Sequence, residues 1–191
     1  LAAGCYIGMF SGCTGLTAPP ALPALTLAAY CYKEMFYGCT DLTQAPVLPA
    51  TNLIFGCYFG MFHGCTELTA APELRAAALV QECYKEMFYG CTKLNNIRVN
   101  FNSWADDVDA TLDWVYGVSS TGTFVCPAEL DTSVEDESHV PVGWSTGLPT
   151  GISSVTDSPF LNGAIYNISG QRVGKQERGI IIENGRKYFN R

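Results

Sequence analysis

The chain has 191 residues, of which 48% are hydrophobic, and its formal net charge is −7 at pH 7. This length allows one or two domains, and the hydrophobic fraction suffices for a continuous core. The acidic balance argues against a nucleic-acid-binding protein, which would carry a basic face, and disfavours electrostatic attachment to anionic membranes. No apolar run approaches the ~18 residues that a membrane-spanning helix needs.

One motif recurs four times within residues 1–100. It is clearest as CYKEMFYGCTDLTQAP, from Cys31 to Pro46, and its other copies begin at Cys5, Cys57 and Cys83, each 26 residues apart. A fixed period of this size is typical of stacked-repeat proteins, in which each repeat buries its apolar face against its neighbours.

The first residue falls inside a repeat, because Leu1 stands in the register of Leu27 and Leu53. A bare end of a stacked array exposes apolar surface, so we expect that upstream repeats have been cut away. The chain shows no signal peptide, and a removed export signal is compatible with a start at Leu1.

Each repeat is predicted to form a short helix followed by a short strand. In the third copy, Leu53, Cys57 and Met61 recur at helical spacing, and Gly64 follows where a helix typically ends. The next segment, CTELTAAP, favours a strand that stops at Pro72, which cannot donate to a ladder. The expected fold class is α/β, a solenoid of strand–helix repeats with strands on one face and helices on the other.

A degenerate repeat is predicted to follow and to cap the exposed end of the core. Ser103 is expected to cap a helix with Asp106 and Asp107 in its first turns, and Thr121–Pro127 to form one more strand. The repeat array with this capping unit is therefore placed at residues 1–127.

Two further segments complete the chain. Residues 128–160, rich in Ser, Thr, Gly, Pro and acidic residues, are expected to be an irregular acidic segment and linker. Residues 161–191 are basic and alternate with a period of two. Asn184-Gly185, between an apolar run and Lys187, predicts a β-hairpin in a small C-terminal β module.

The repeat resembles the leucine-rich repeats of bacterial surface proteins, in particular the BspA-like class of Bacteroidetes. The resemblance rests on the pattern aromatic-x-Gly-Cys-Thr-x-Leu and on the pair Met35-Phe36, where that class usually has Ala-Phe. It implies a leucine-rich repeat solenoid in a secreted or cell-surface protein, outer-membrane or extracellular, that takes part in adhesion. The period of 26 is longer than is usual in the class, and Cys31 stands where an aliphatic residue is commoner.

Two later segments carry further resemblances. The unit with TGTFV and the element Val140–Trp144 are similar to units that end many such arrays. The segment with YNISGQRVG and GIIIENGRK resembles a short β module of exported Bacteroidetes proteins, with Ile181 in place of the usual Tyr. Some such modules are sorting signals for the type IX secretion route.

The eight repeat cysteines allow several interpretations. A metal site is disfavoured because the pairs are spaced C-x7-C and no His recurs beside them; no cofactor is expected. A disulfide between Cys31 and Cys39 is kept as an alternative, although a helix would hold them ~10 Å apart and a disulfide needs Cα atoms within about 7 Å. We favour buried thiols that act as small hydrophobic groups.

Other repeated side chains are predicted to be core. The Met-Phe pairs should be buried, and the row of Tyr6, Tyr32, Tyr58 and Tyr84 should pack within the array, although a tyrosine row could also bind sugars or peptides.

Each predicted strand carries a polar residue beside its inward leucine, at the same register position in every copy. This residue is expected on the outer, concave side of the strand. The positions around it vary from repeat to repeat, as on the binding faces of repeat proteins. The candidate binding residues are Thr17, Thr43, Gln44, Val47, Thr69, Glu73 and Asn95.

We therefore expect a non-enzymatic interaction protein that binds a protein or glycan of the host or of neighbouring bacteria through the strand face. One alternative is a structural spacer without a ligand. Another is a hydrolase that uses the acidic segment around Glu135, which a hydrogen bond from His63 or His139 to a thiol or carboxylate in a cleft would favour.

Overall fold

The structure, a computed structural model, describes residues 1–147 and the strands at 165–167, 172–173, 179–183 and 186–190. The chain divides into two compact units, Leu1–Pro149 and Thr150–Arg191. The first contains the strands β1 (Asn96–Arg98), β2 (Thr123–Val125) and β3 (Ser145–Gly147) and one 3-10 turn at Asp106–Val108. The second contains β4 (Ile165–Asn167), β5 (Arg172–Val173), β6 (Gly179–Glu183) and β7 (Arg186–Asn190).

The first unit is a stack of coils that follow the sequence repeat. Coils 1 to 3 are residues 1–26, 27–52 and 53–78, and coils 4 to 6 are residues 79–105, 106–127 and 128–147. Successive coils are joined by backbone hydrogen bonds that recur at the same place in each coil, such as Tyr6 N to Cys31 O at 3.0 Å and Tyr32 N to Cys57 O at 3.0 Å. The stacking expected from the 26-residue period is therefore present, but the elements within each coil differ from those expected.

The predicted strand–helix solenoid is wrong, because the segments expected to be helical are series of tight turns. In coil 2, Tyr30, Glu34 and Gly38 have φ angles of 54°, 54° and 67°. A left-handed residue at every fourth position is incompatible with an α-helix of L-residues. The series continues in coil 5, where Asp109 and Asp113 have φ angles of 52° and 53°.

We call these consecutive turns the turn series, which in coil 2 spans residues 30–38. Its hydrogen bonds alternate between two directions. The N–H of Tyr37 closes a turn by donating to the Glu34 carbonyl at 3.0 Å, whereas the N–H of Phe36 leaves the coil and donates to the Met61 carbonyl at 2.9 Å. An α-helix would direct every interior N–H to the carbonyl four residues earlier. The turn series instead satisfies half of its donors locally and half across the coil junction.

The side chains of the turn series point inward in pairs. In coil 2 the buried residues are Cys31, Tyr32, Met35, Phe36 and Cys39, while Lys33 and Glu34 lie at the surface. This repeats every four residues. It is close to the 3.6-residue period of a helix, which is why the apolar spacing suggested one.

The row of strands expected on one face of the solenoid is also absent. Among residues 14–100, all of which the structure describes, a strand forms only at Asn96–Arg98, with isolated bridges from Ala70 to Asn96 and from Leu74 to Val99. Pro20, Pro46 and Pro72 occupy the register of Arg98. A proline has no N–H to donate and restricts the residue before it, so the ladder begins where the proline is replaced.

The parallel sheet β1-β2-β3 joins coils 4, 5 and 6. Ile97 pairs with Phe124, which pairs with Thr146. The strand predicted at Thr121–Pro127 is β2. The predicted helix cap at Ser103 is wrong, because the 3-10 turn at Asp106–Val108 receives no hydrogen bond from a capping side chain.

Aromatic rings of successive coils stack in columns and form the core. The ring centroids of Tyr32 and Tyr58 lie 5.9 Å apart, and those of Tyr58 and Tyr84 lie 6.0 Å apart. These three rings are at most 3% exposed, so they pack within the array and offer no binding platform, whereas Tyr6 of coil 1 is half-buried. A second column beside it consists of Phe10, Phe36, Phe62 and Phe88.

The second unit is an antiparallel sheet in the order β5-β4-β6-β7. Glu183 at the end of β6 pairs with Arg186 at the start of β7, which agrees with the hairpin expected around Asn184-Gly185. Of the irregular acidic segment and linker expected at residues 128–160, residues 148–160 lie outside the described residues. No helix within the described ranges is long and apolar enough to cross a membrane.

Candidate binding surface

All seven candidate binding residues are exposed to solvent. They lie in coils 1 to 4, in segments that form no regular strand before Asn96. We call this surface the threonine face, and its members are Thr17, Thr43, Gln44, Val47, Thr69, Glu73 and Asn95.

Backbone hydrogen bonds hold parts of the threonine face in register. The N–H and the hydroxyl of Thr43 both donate to the Thr17 carbonyl, at 3.4 Å and 3.2 Å. The N–H of Asn95 donates to the Thr69 carbonyl at 3.0 Å, and that of Thr123 donates to the Asn95 carbonyl at 2.9 Å. The backbone therefore fixes where these threonines and Asn95 lie in each coil, while the side chains beside them are free to differ.

The chemistry of the threonine face is mostly neutral. Val47 is 67% exposed and supplies an apolar contact area. Glu73 is paired with Arg75, whose Nε donates to its carboxylate at 3.0 Å, and such an exposed pair contributes little to stability. Hydroxyl, amide and aliphatic groups side by side can form hydrogen bonds and apolar contacts with a macromolecule. They supply no acid–base pair for catalysis.

The repeat thiols are structural groups. All nine cysteines are free, and those of coils 2 to 4 are buried, as expected. The Cys65 and Cys91 thiols donate to the carbonyls of Phe36 and Phe62 in the coil before, at 3.1 Å and 3.0 Å. Burial raises the pKa of the Cys57 thiol and that of the Cys65 thiol to about 12, so neither is a thiolate nucleophile at neutral pH.

His139 joins coils 5 and 6 through two carboxylates. Its Nδ1 lies 2.8 Å from Asp136 Oδ1 and its Nε2 lies 3.1 Å from Asp106 Oδ1, with the Trp104 ring edge-on at 5.0 Å. Both ring nitrogens therefore lie against carboxylate oxygens, and the imidazole links Asp106 of coil 5 to Asp136 of coil 6. The hydrolase alternative stays a prediction.

A surface column of stacked rings was missed from the sequence. His63 lies between Tyr37 and Tyr89, with 4.5 Å between ring centroids on either side, and Tyr116 extends the column beyond Tyr89 at 4.5 Å. The Glu86 carboxylate lies 3.6 Å from His63 Nδ1, but burial dominates and lowers the pKa of the imidazole. The signal was the aromatic residue that precedes the turn glycine in coils 2 to 5.

No cluster of three or more His, Cys, Asp or Glu side chains suited to a metal ion occurs in the part of the chain that the structure describes. No known protein family, no curated protein and no solved structure matches the chain. The resemblance to BspA-like repeats therefore stays a prediction, and the evidence for function is the geometry itself.

Proposed function

We propose that the protein is a non-enzymatic interaction module that binds a macromolecule, a protein or a glycan, through the threonine face. The observation that carries this proposal is that seven exposed side chains sit on coils whose stacking fixes their spacing: threonine recurs at one register position, while the positions of Gln44 and Val47 vary from coil to coil. A rigid repeated scaffold with a variable surface is how stacked-repeat proteins present binding sites.

The composition of the face supports this class of partner. Val47 in coil 2 is an exposed aliphatic side chain three residues after Gln44, and Glu73, which is paired with Arg75, holds the same register position in coil 3. Contacts of this mixed kind are typical of protein and glycan recognition, in which a few anchors carry most of the energy. The resemblance of the repeat to those of surface proteins is the reason to propose a location outside the cell.

The test is a binding screen against immobilised extracellular-matrix proteins and glycans, followed by surface exchange. In the variant, Gln44→Ala, Val47→Asp and Glu73→Ala are combined. The control combines Val142→Asp and Glu129→Ala in coil 6, where Val142 is 64% exposed, close to the 67% of Val47. We expect the first variant to lose affinity at least tenfold and the control to keep it.

Two outcomes would contradict the proposal. Binding that survives the triple exchange would show that the threonine face is not the site. A chain that binds no protein or glycan in the screen would favour the alternative of a structural spacer.

A further inference from the structure

The surface column of stacked rings ends at Tyr37 in coil 2 and at Tyr116 in coil 5. Ser11 of coil 1 holds the register position of Tyr37 and has no ring, and among the described residues no ring stacks on the far side of Tyr116. The two end rings are 42% and 46% exposed, whereas His63 and Tyr89 inside the column are half-buried. Each end ring therefore offers one unstacked face on which a further planar group can continue the column.

An acidic residue stands three positions before the ring in coils 2, 4 and 5. The N–H of Tyr37 donates to the Glu34 carbonyl at 3.0 Å, and that of Tyr116 donates to the Asp113 carbonyl at 3.3 Å. Partial burial raises the pKa of Tyr89, and the nearby Tyr116 and Asp113 raise it further. The turns therefore hold negative charge within electrostatic reach of the rings.

The protein itself neutralises the end carboxylates only weakly. Glu34 lies 3.5 Å from Lys33 Nζ, in a partly exposed pair that solvent screens. Lys85 of coil 4 pairs with Asp109, and Asp113 forms no ion pair with any residue that the structure describes. The whole chain carries a net charge of −7. Each end ring thus lies beside a carboxylate that can pair with a cation from a partner.

An open tyrosine face beside a carboxylate favours a guanidinium group. The guanidinium is planar, so it can stack on the ring while its N–H groups donate to the carboxylate. A lysine ammonium is not planar and cannot continue the stack, and a neutral sugar leaves the carboxylate without a counter-charge. Charge and shape together therefore favour an arginine side chain over a glycan at these two faces.

The distance between the two open faces indicates how the arginines are arranged. Successive rings of the column lie 4.5 Å apart. Groups stacked on Tyr37 and on Tyr116 are then separated by five such steps, about 22 Å. An extended chain advances ~3.3 Å per residue, and residues an even number apart point to the same side. Two arginines six residues apart span about 20 Å, and their flexible side chains cover the difference.

We propose that the surface column is a docking site for an extended basic segment of a partner protein, in which two arginines six residues apart stack on the end rings. They pair with the carboxylates of Glu34 and Asp113. The site uses none of the seven residues of the threonine face, so either proposal can fail without the other.

The test measures, by titration calorimetry at low salt, the binding of a synthetic peptide to the full chain. The peptide alternates alanine and serine and carries two arginines six residues apart. A second peptide has citrulline at both positions, which keeps the planar group and removes the charge. A third has its arginines two residues apart, which is too close to reach both faces. We expect the dissociation constant to rise at least tenfold for each of these two peptides.

Two double variants of the protein separate the charges from the rings. Glu34→Gln with Asp113→Asn removes both carboxylates, and asparagine tolerates the φ of 53° at position 113. Tyr37→Leu with Tyr116→Leu removes both open faces. We expect each variant to bind the arginine peptide at least tenfold more weakly, with the urea midpoint confirming that the chain is folded.

The control, Asp41→Asn with Glu129→Gln, removes the same charge from exposed positions outside the column and should change the affinity less than twofold. An equal loss in the control and the carboxylate variant would overturn the proposal, because net charge alone would then explain binding. So would the absence of binding at ~1 mM peptide, or equal binding of the citrulline peptide. A glycan whose binding is lost in the leucine variant, with no effect on the peptide, would assign the column to sugars instead.

Discussion

Every fourth residue of the turn series is left-handed, and the chain fills this position in two ways. Coils 1 and 3 use glycine, as at Gly56 and Gly60, whereas coil 2 uses Tyr30 and Glu34. A β-carbon added at Gly56 would lie 2.3 Å from the Tyr30 ring, so glycine in coil 3 leaves room for the side chain of coil 2. The alternation is thus a packing requirement as well as a conformational one.

Alanine in place of glycine in the turn series would therefore have two separate costs in unfolding free energy, one from the left-handed backbone and one from the packing. Gly12, with a φ of 73°, has nothing within 4 Å of an added β-carbon, so Gly12→Ala should lose only the ~1–2 kcal/mol of a left-handed L-residue. Gly56→Ala, with a φ of 56°, should lose a further ~1–3 kcal/mol by displacing Tyr30. Urea unfolding of both variants measures the difference. Equal losses would contradict the packing of Tyr30 over Gly56.

The methionines offer a matched pair for testing the core. Met61 is fully buried, so Met61→Ala should lower the unfolding free energy of the protein by ~2–5 kcal/mol. Met9 holds the same position in coil 1 but is 57% exposed, so Met9→Ala should cost well under half as much. Chemical denaturation of the two variants checks this, and a large loss for Met9→Ala would contradict the exposure of this side chain.

At the scale of elements, the column of Tyr37, His63 and Tyr89 predicts a pH dependence. Burial lowers the folded-state pKa of His63, so the unfolded chain binds its proton more readily. Stability is therefore lost as the pH falls below the unfolded-state value of ~6.5 toward the folded-state pKa. His63→Phe keeps a ring in the stack and removes the proton.

The measurement is the urea midpoint at pH 7.5 and at pH 5.5. The unmodified chain should lose more stability over this interval than His63→Phe does. His139→Gln, which changes the histidine between coils 5 and 6, serves as the control and should retain the part of the loss that comes from His63. An identical pH response in the His63→Phe variant and the unmodified chain would refute the assignment.

The sequence predicted the stacking and the core well and the elements within each coil poorly. The period follows from register alone, and so do the buried thiols and the inward Met-Phe pairs of coils 2 to 4, whereas Cys5, Cys13 and Met9 of coil 1 are exposed. The helix was wrong because paired burial every four residues resembles a helical stripe. Gly4, Gly8 and Gly12 were the available signal, since glycine at every fourth position favours left-handed turns. The exposure of the threonine face was predicted, but the sheet expected beneath it does not form in the coils that carry Pro20, Pro46 and Pro72.

At the scale of the whole molecule, tryptophans join the last two coils of the stack. Trp114 is fully buried in coil 5, and Trp144 in coil 6 is 4% exposed and donates from Nε1 to the Ser119 carbonyl at 2.7 Å. Because each coil of a stacked array contacts only its neighbours, these contacts hold coil 6 on coil 5.

The central claim is that coils stack through turns whose N–H groups bond to the next coil. Scalar coupling across hydrogen bonds, measured by NMR on the labelled chain, tests it at Phe36. We predict a coupling between the Phe36 amide nitrogen and the carbonyl carbon of Met61, whose oxygen lies 2.9 Å from that nitrogen. A coupling to the carbonyl carbon of Tyr32, four residues earlier, would show an α-helix and contradict it.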